Sequence, residues 1–328
     1  MKRIKKVVII LAILVVLVVL VGVLVLKINQ EYPNDWNSKN LNKDNPYVKE
    51  IINGKECYAP IPKGFEVKEG TISTGLVIED EKNNEYVWVP VDDTYMIRQT
   101  LETAEEIAKN YWEARKVGIG EAGVYRNEPY PRVDGSWTKV QWDAMYESVM
   151  KYEGFYIGRY ETGKSETGEA IVKPNAEVWN YIQWNKRLGN EEEPTEGTAA
   201  YVANNMYNVN DKEHGAVSTL IYGIQWDTAI NWAECESKSR TEDTYISKEL
   251  PTKTASTYAD DVTYDINKGI YDLVGNMCEW TMEGYKKESR FIRGGAYDVY
   301  EPSIARPYAF VTQQVCPCLG FRIALYVE

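Results

Sequence analysis

The residues best able to do chemistry lie near the C-terminus. In Tyr271 to Tyr285, YDLVGNMCEWTMEGY, Asp272 and Glu279 stand on either side of a Gly-Asn pair. Gly-Asn interrupts helix and strand alike, so the segment reads as a loop that folds two carboxylates and several backbone carbonyls around one point. Hard oxygens in that arrangement suit calcium, which takes roughly six to eight oxygen ligands; zinc and copper seek nitrogen or sulfur. Two acidic residues seven positions apart are also ordinary loop surface, and spacing alone leaves both readings open.

Other reactive side chains are sparse. The five cysteines, Cys57, Cys235, Cys278, Cys316 and Cys318, permit disulfides but leave an odd one over. Cys316-Pro-Cys318 has the wrong spacing for a tetrahedral zinc pair. The single histidine, His214, sits in the polar run NDKEHGAV and is expected to be exposed to solvent. One histidine gives poor support to a Ser-His-Asp or Cys-His hydrolase. DINKG, from Asp265, has half of an EF-hand loop, but its twelfth position is Asn276 where that loop needs Glu, so it reads as a turn.

Strands and helices must position these loops. TGLVIEDEKNNEYVWVPV alternates apolar and polar residues around Lys-Asn-Asn, predicting a β-hairpin from Leu76 to Val91. Ala104, Ile107, Ala108, Tyr111 and Trp112 recur at helical spacing between Thr103 and Lys116, with Thr103 and Glu106 as a capping box. A second helix is predicted from Val140 to Tyr152, with Gly154 just past its end. GFYIGRYETG, from Gly154, reads as a short strand. YGIQWDTAINWAE, from Tyr222, reads as a strand end entering a helix that buries Trp226, Ile230 and Ala233. Polar insertions at 118–136 and 189–197 interrupt this domain, and no internal repeat is visible.

At the other end, Val7 to Leu26 is an uninterrupted apolar run. At roughly 1.5 Å per residue it spans about 30 Å, the thickness of a bilayer's hydrocarbon core. Lys2, Arg3, Lys5 and Lys6 precede it and only Lys27 follows closely, which places the N-terminus in the cytoplasm. A cleaved signal peptide would have a shorter apolar stretch and a small-residue site, which LVLKINQEY does not offer. The expected organisation is a basic tail (1–6), a plasma-membrane anchor (7–26), an extracellular stalk rich in Asn, Asp and Lys (27–57) and one folded domain (58–328).

The chain's formal net charge is −12, and the part beyond the anchor is more acidic still. Such a surface repels phosphate backbones, which excludes nucleic acid as an expected partner. Tyr outnumbers Phe 25 to 5, and there are 10 Trp. Aromatic rings with polar handles suit either a binding face or the rim of a loop-rich core.

YDLVGNMCEW, FIRGGAY and the terminal GFRIAL, with FYIGRYETG and GIQWDTAINWAE upstream, resemble the ordered blocks of the formylglycine-generating-enzyme (sulfatase-modifying factor) family. The resemblance covers roughly residues 76–326. It implies an α+β, loop-rich variant of the C-type-lectin fold in which the C-terminal strand returns into the core and Arg322 is an internal hydrogen-bonding residue. It also implies calcium held by the carboxylates of Asp272 and Glu279 and the carbonyls of Gly275 and Met277, with Cys278 replacing the family's usual aromatic residue. The family's oxidases hold copper(I) on two cysteines spaced Cys-x4-Cys. Here those positions are Val299 and Ile304, so no copper and no catalytic residue are expected.

What the resemblance then implies is a catalytically dead binding module of a bacterial surface protein, with an extracellular protein or glycan as ligand. Between the last two blocks, Tyr297, Asp298, Tyr300, Ser303, Arg306, Tyr308, Phe310 and Thr312 mix large aromatics with small and polar residues, as an adaptable paratope does. The segment also resembles the variable region of diversity-generating-retroelement proteins. Two other readings stay open: a copper-dependent oxidase using displaced cysteines, Cys316 and Cys318, and a cell-envelope assembly or tethering factor.

Overall fold

In the computed structural model, the residues described are 47–91, 137–186, 193–208, 210, 213–233, 252–253, 266–273, 275–286, 288–296 and 308–327. Residues 43–328 form one unit. The expected membrane anchor at 7–26 and the helix expected at 103–116 lie outside the described residues. Among the described residues no helix is long and apolar enough to cross a membrane.

Strands β1 (Tyr47–Ile52) and β2 (Lys55–Pro60) form an antiparallel hairpin closed at Ile52↔Lys55. The two turn residues, Asn53 and Gly54, both take positive φ (52° and 82°), as a primed hairpin turn requires. This hairpin occupies residues expected to be stalk, so among the described residues paired structure is already present at Tyr47, before the folded part expected near Tyr58. Glu50 on β1 accepts hydrogen bonds from Ser73 N (2.9 Å) and Ser73 Oγ (2.5 Å). Burial pushes the Glu50 carboxyl up, but the bonds from Ser73 and Thr71 outweigh it and hold the group below its ordinary range.

Next come β3 (Phe65–Glu69), β4 (Val77–Asp80) and β5 (Glu85–Pro90). β4 and β5 are the predicted hairpin. Its turn is set by Asp80, whose Oδ1 accepts the backbone N–H of Lys82 (2.9 Å) and of Asn84 (2.7 Å). Helix α1 (Trp137–Tyr152) begins three residues before the predicted start. It buries Thr138, Gln141, Met145, Ser148 and Val149 on one face, at the spacing a single helical stripe demands. Glu153 takes the left-handed conformation after its last turn (φ 55°), a role expected to fall near Gly154.

Gly154 has a different reason to be glycine. It opens β6 (Gly154–Gly158), where an added Cβ would lie 2.2 Å from Cζ2 of the wholly buried Trp88. Trp88 is fixed in turn against the Tyr156 ring, 4.9 Å away.

Short strands follow: β7 (Gly163–Lys164), β8 (Ala170–Ile171) and β9 (Ala176–Glu177). Helix α2 (Ala199–Met206) buries Ala199, Ala200 and Ala203, small residues that let it lie close over β10 (Ala216–Leu220). Helix α3 (Gly223–Trp232) is the predicted helix and buries Trp226 and Ile230, with Ala233 just beyond its end. β11 (Thr252–Lys253) pairs with β9. β12 (Ile266–Asn267) and β13 (Ile270–Tyr271) form the turn expected at DINKG. The chain ends with β14 (Cys278–Lys286), β15 (Ser289–Arg293), β16 (Tyr308–Val311), β17 (Leu319–Phe321) and β18 (Ile323–Val327).

Two sheets organise these pieces. The larger has the order β10-β18-β6-β5-β4-β3, antiparallel throughout, so the terminal strand does return between two earlier ones. The smaller has the order β16-β15-β14-β17, with β14 and β17 parallel. The described architecture is mostly β with three short helices and many loops, an α+β arrangement in the loose sense. Trp88, Trp184, Trp226 and Trp280 are wholly buried. Trp184 Nε1 donates to Thr281 O (3.0 Å) and Trp280 Nε1 to Ile182 O (2.9 Å), so these two put both ring and polar tip into the core.

Candidate functional site

The Gly-Asn loop runs from the end of β13 into β14. Asp272 and Asn276 both adopt left-handed backbone (φ 57° each), a conformation Asn and Asp tolerate better than other residues with a side chain. The loop is clamped from two sides. Glu161, just after β6, accepts a hydrogen bond from the Asn276 side-chain amide and another from Met277 N (3.0 Å). Arg322, between β17 and β18, donates from Nε to Glu279 Oε1 (2.8 Å), from Nη1 to Gly158 O (2.9 Å) and from Nη2 to Tyr271 O (2.8 Å). The parallel register Cys278↔Leu319, Glu279↔Gly320, Trp280↔Phe321 brings Arg322 to that position. It is the internal hydrogen-bonding residue expected.

Glu161, Asp272 and Glu279 are all buried, at 0%, 1% and 0% exposure, and the Arg322 guanidinium pairs with Glu279. Burial pushes the Glu161 carboxyl well above the usual carboxylate range. The charges of Asp272 and Glu279 push the same way, while Arg322 and Asn276 oppose them. The three carboxyl groups make an all-oxygen donor set, a chemistry that fits a hard cation and not a soft one. The loop also lies against the end of β15, where a Cβ added to Gly294 would lie 3.3 Å from Leu273 O and 3.5 Å from Met277 O. Cys278 is buried, and its thiol donates weakly to Gly294 O (3.8 Å). Cys57 and Cys316 are free thiols.

The expected ligand-binding segment divides unevenly. Tyr297, Asp298, Tyr300, Ser303 and Arg306 lie outside the described residues, as do Val299 and Ile304. The strands on either side are locked: β15 pairs with β14 and with β16, the latter closing at Ile292↔Tyr308. Phe310 is half-buried against Trp280, 6.3 Å between ring centres. Thr312 is wholly buried; its N–H donates to Glu288 O and its carbonyl accepts from Asn185 N, which makes it framework and not contact surface.

Beyond β16 the chain is fastened to 180–186. Asn180 Nδ2 donates to Pro317 O (2.7 Å), Gln183 Nε2 to Gln313 O (2.9 Å) and Tyr181 N to Cys316 O (3.3 Å). Tyr181 is 60% exposed at φ 50°, an unfavourable conformation for an aromatic residue, and Val311 and Val315 are exposed too. Neither Tyr181 nor Glu161 was singled out by sequence reasoning. Glu161 stands in the conspicuous block FYIGRYETG, but nothing marks Tyr181.

No protein-family model matches this chain, and no curated protein does. Among solved structures, the chain is similar to PvdO from Pseudomonas aeruginosa at 13% identity and TM-score 0.36, covering 76% of this chain and 98% of that one. It is similar to Treponema denticola variable protein 1 at 16% identity and TM-score 0.29, covering 52% and 84%. It is also similar to CarF at 14% identity and TM-score 0.28, covering 86% and 99%. These neighbours have formylglycine-generating-enzyme-like or C-type-lectin-like folds, and the likeness to them is distant.

Proposed function

We propose that this chain is a non-catalytic binding module, displayed outside the cell on a membrane anchor at 7–26, whose segment 297–307 and its flanks contact an extracellular protein or glycan. One observation carries the reading. The segment joins two strands held in a paired sheet, and exposed Tyr181, Val311 and Val315 stand where it rejoins the fixed part of the fold. A connecting segment between rigid supports is how binding loops are built. In the family that the blocks resemble, the copper ligands would fall at Val299 and Ile304, which cannot hold that metal. The acidic composition disfavours nucleic acid as the ligand.

Calcium is the cation proposed for the Gly-Asn loop. The carboxylates of Asp272 and Glu279 and the carbonyls of Gly275 and Met277 would hold it, and it would offset the negative charges of Asp272 and Glu279 beside Glu161.

Both parts are tested on the full chain in mild detergent, probed on glycan and secreted-protein arrays with calcium or with a chelator. A binding signal that disappears when 297–307 is replaced by a Gly-Ser segment supports the reading; a signal untouched by that replacement sinks it. Calcium at 100 times its Kd adds about 2.7 kcal/mol to stability. The melting temperature therefore rises with calcium in the wild type and not in Asp272→Asn. Equal rises in both overturn the calcium assignment.

A further inference from the structure

His214 was expected at the surface, and it is 8% exposed. It lies just before β10, where Gly215 N donates to Lys63 O (3.0 Å) and draws the segment against the residues preceding β3. The imidazole packs on the rings of Tyr207 (4.9 Å between centres) and Phe65 (5.5 Å). It also passes so close to Gly64 that a Cβ there would lie 2.7 Å from His214 Cδ2. The ring is thus held in place by its surroundings, with Nε2 3.0 Å from Glu81 Oε2 in the β4–β5 turn.

Asp80 is the third member of the group. One ligand atom each from Asp80, Glu81 and His214 lies within 4.8 Å of the other two, and among the described residues this is the one such trio of His, Cys, Asp and Glu side chains. Asp80 is 4% exposed, and its carboxylate is held by Lys82 N, Asn84 N, Asn84 Nδ2 (2.8 Å) and Tyr207 OH (2.5 Å). Partners of that kind orient metal-binding carboxylates. Glu81 is 56% exposed and opens the group to solvent.

We infer that Asp80, Glu81 and His214 form a site for a zinc-class divalent cation, separate from the Gly-Asn loop. One imidazole nitrogen and two carboxylates are a donor set for a first-row transition metal and not for calcium, which takes oxygen alone. Three protein ligands with an exposed edge leave the fourth position to water. Coordination at Asp80 exchanges one of its four hydrogen bonds for a metal bond, and coordination at Glu81 and His214 replaces their contact with each other. The ion ties the β4–β5 turn to the segment that leads into β10.

The test is calorimetric titration of the full chain in mild detergent with zinc alone, for wild type, Glu81→Gln and His214→Gln. Cobalt(II) absorption serves as a second readout. The site predicts one zinc that binds at least about tenfold more weakly in either variant, since even outer partners of a metal ligand are worth 10–100-fold. Because Glu81 is exposed, Glu81→Gln keeps the fold and the test does not depend on His214→Gln folding. Bound cobalt shows no thiolate charge-transfer band, which separates this site from Cys316 and Cys318, and Asp272→Asn binds zinc like wild type. Absence of zinc binding, equal binding by all three proteins, or a thiolate band lost on changing Cys316 overturns the inference and leaves Glu81–His214 as an ion pair only.

Discussion

Replacing Arg322 by Met tests the electrostatic frame of the Gly-Asn loop. The guanidinium is 0% exposed and makes three hydrogen bonds, one of them to the equally buried Glu279. Methionine keeps most of the volume and removes the charge. Glu279 then shares a dry space with Asp272 and Glu161 without the guanidinium that paired with it. Breaking one side of a buried pair costs about 3–5 kcal/mol. At roughly 2 °C per kcal/mol for a unit of this size, the melting temperature falls by about 6–10 °C.

Arg322→Met leaves the carbonyls of Gly158 and Tyr271 short of a donor with or without a second change, whereas adding Glu279→Gln removes the carboxylate charge that the arginine had balanced. The double variant is therefore expected to be more stable than the single one. Urea denaturation and thermal melts of wild type, both single variants and the double variant complete the cycle. An Arg322→Met loss below about 1 kcal/mol, or a double variant no more stable than Arg322→Met alone, would show that the carboxylates are not balanced by this arginine.

Two further outcomes follow from packing and titration. Gly154→Ala drives a methyl into the Trp88 ring that Tyr156 holds in place, and destabilises by about 1–3 kcal/mol or more, read from the urea midpoint. Glu50→Gln weakens the tie from β1 to Ser73 by under about 1 kcal/mol. Because Glu50 is held below its ordinary range, the wild-type advantage is full above that range and fades as pH falls through the lowered value. Melts of both proteins from about pH 7 to pH 3 should converge at the acid end; a gap that persists there refutes the role.

Local pattern made much of the fold legible. The β4–β5 hairpin, α1, α3 and the turn at Lys268-Gly269 fall where periodicity and turn residues placed them, since each is decided by neighbours in sequence. The β1–β2 hairpin carried an equally local signal, Asn53-Gly54, hidden by a polar, Asn-rich surround. His214 is buried because residues from Phe65, Tyr207 and the β4–β5 turn converge on it, and a run such as NDKEHGAV holds no trace of partners more than a hundred positions away. The same holds for Glu161. Its bond to the Asn276 side chain spans 115 positions, so sequence pointed to Asp272 and Glu279 and passed over the carboxylate that clamps their loop. Thr312 misled through composition: a small polar residue among aromatics reads as surface, but its backbone joins two loops in the interior.

Strand β18 follows every other strand of the larger sheet in the chain and yet completes its middle. Tyr156 pairs with Leu325 and Ala216 with Val327, so until residues 323–327 have left the ribosome both β6 and β10 carry unsatisfied edges. The larger sheet closes only once β18 is in place, and deleting residues 323–327 would open the middle of that sheet and expose strand edges on β6 and β10, a route to aggregation.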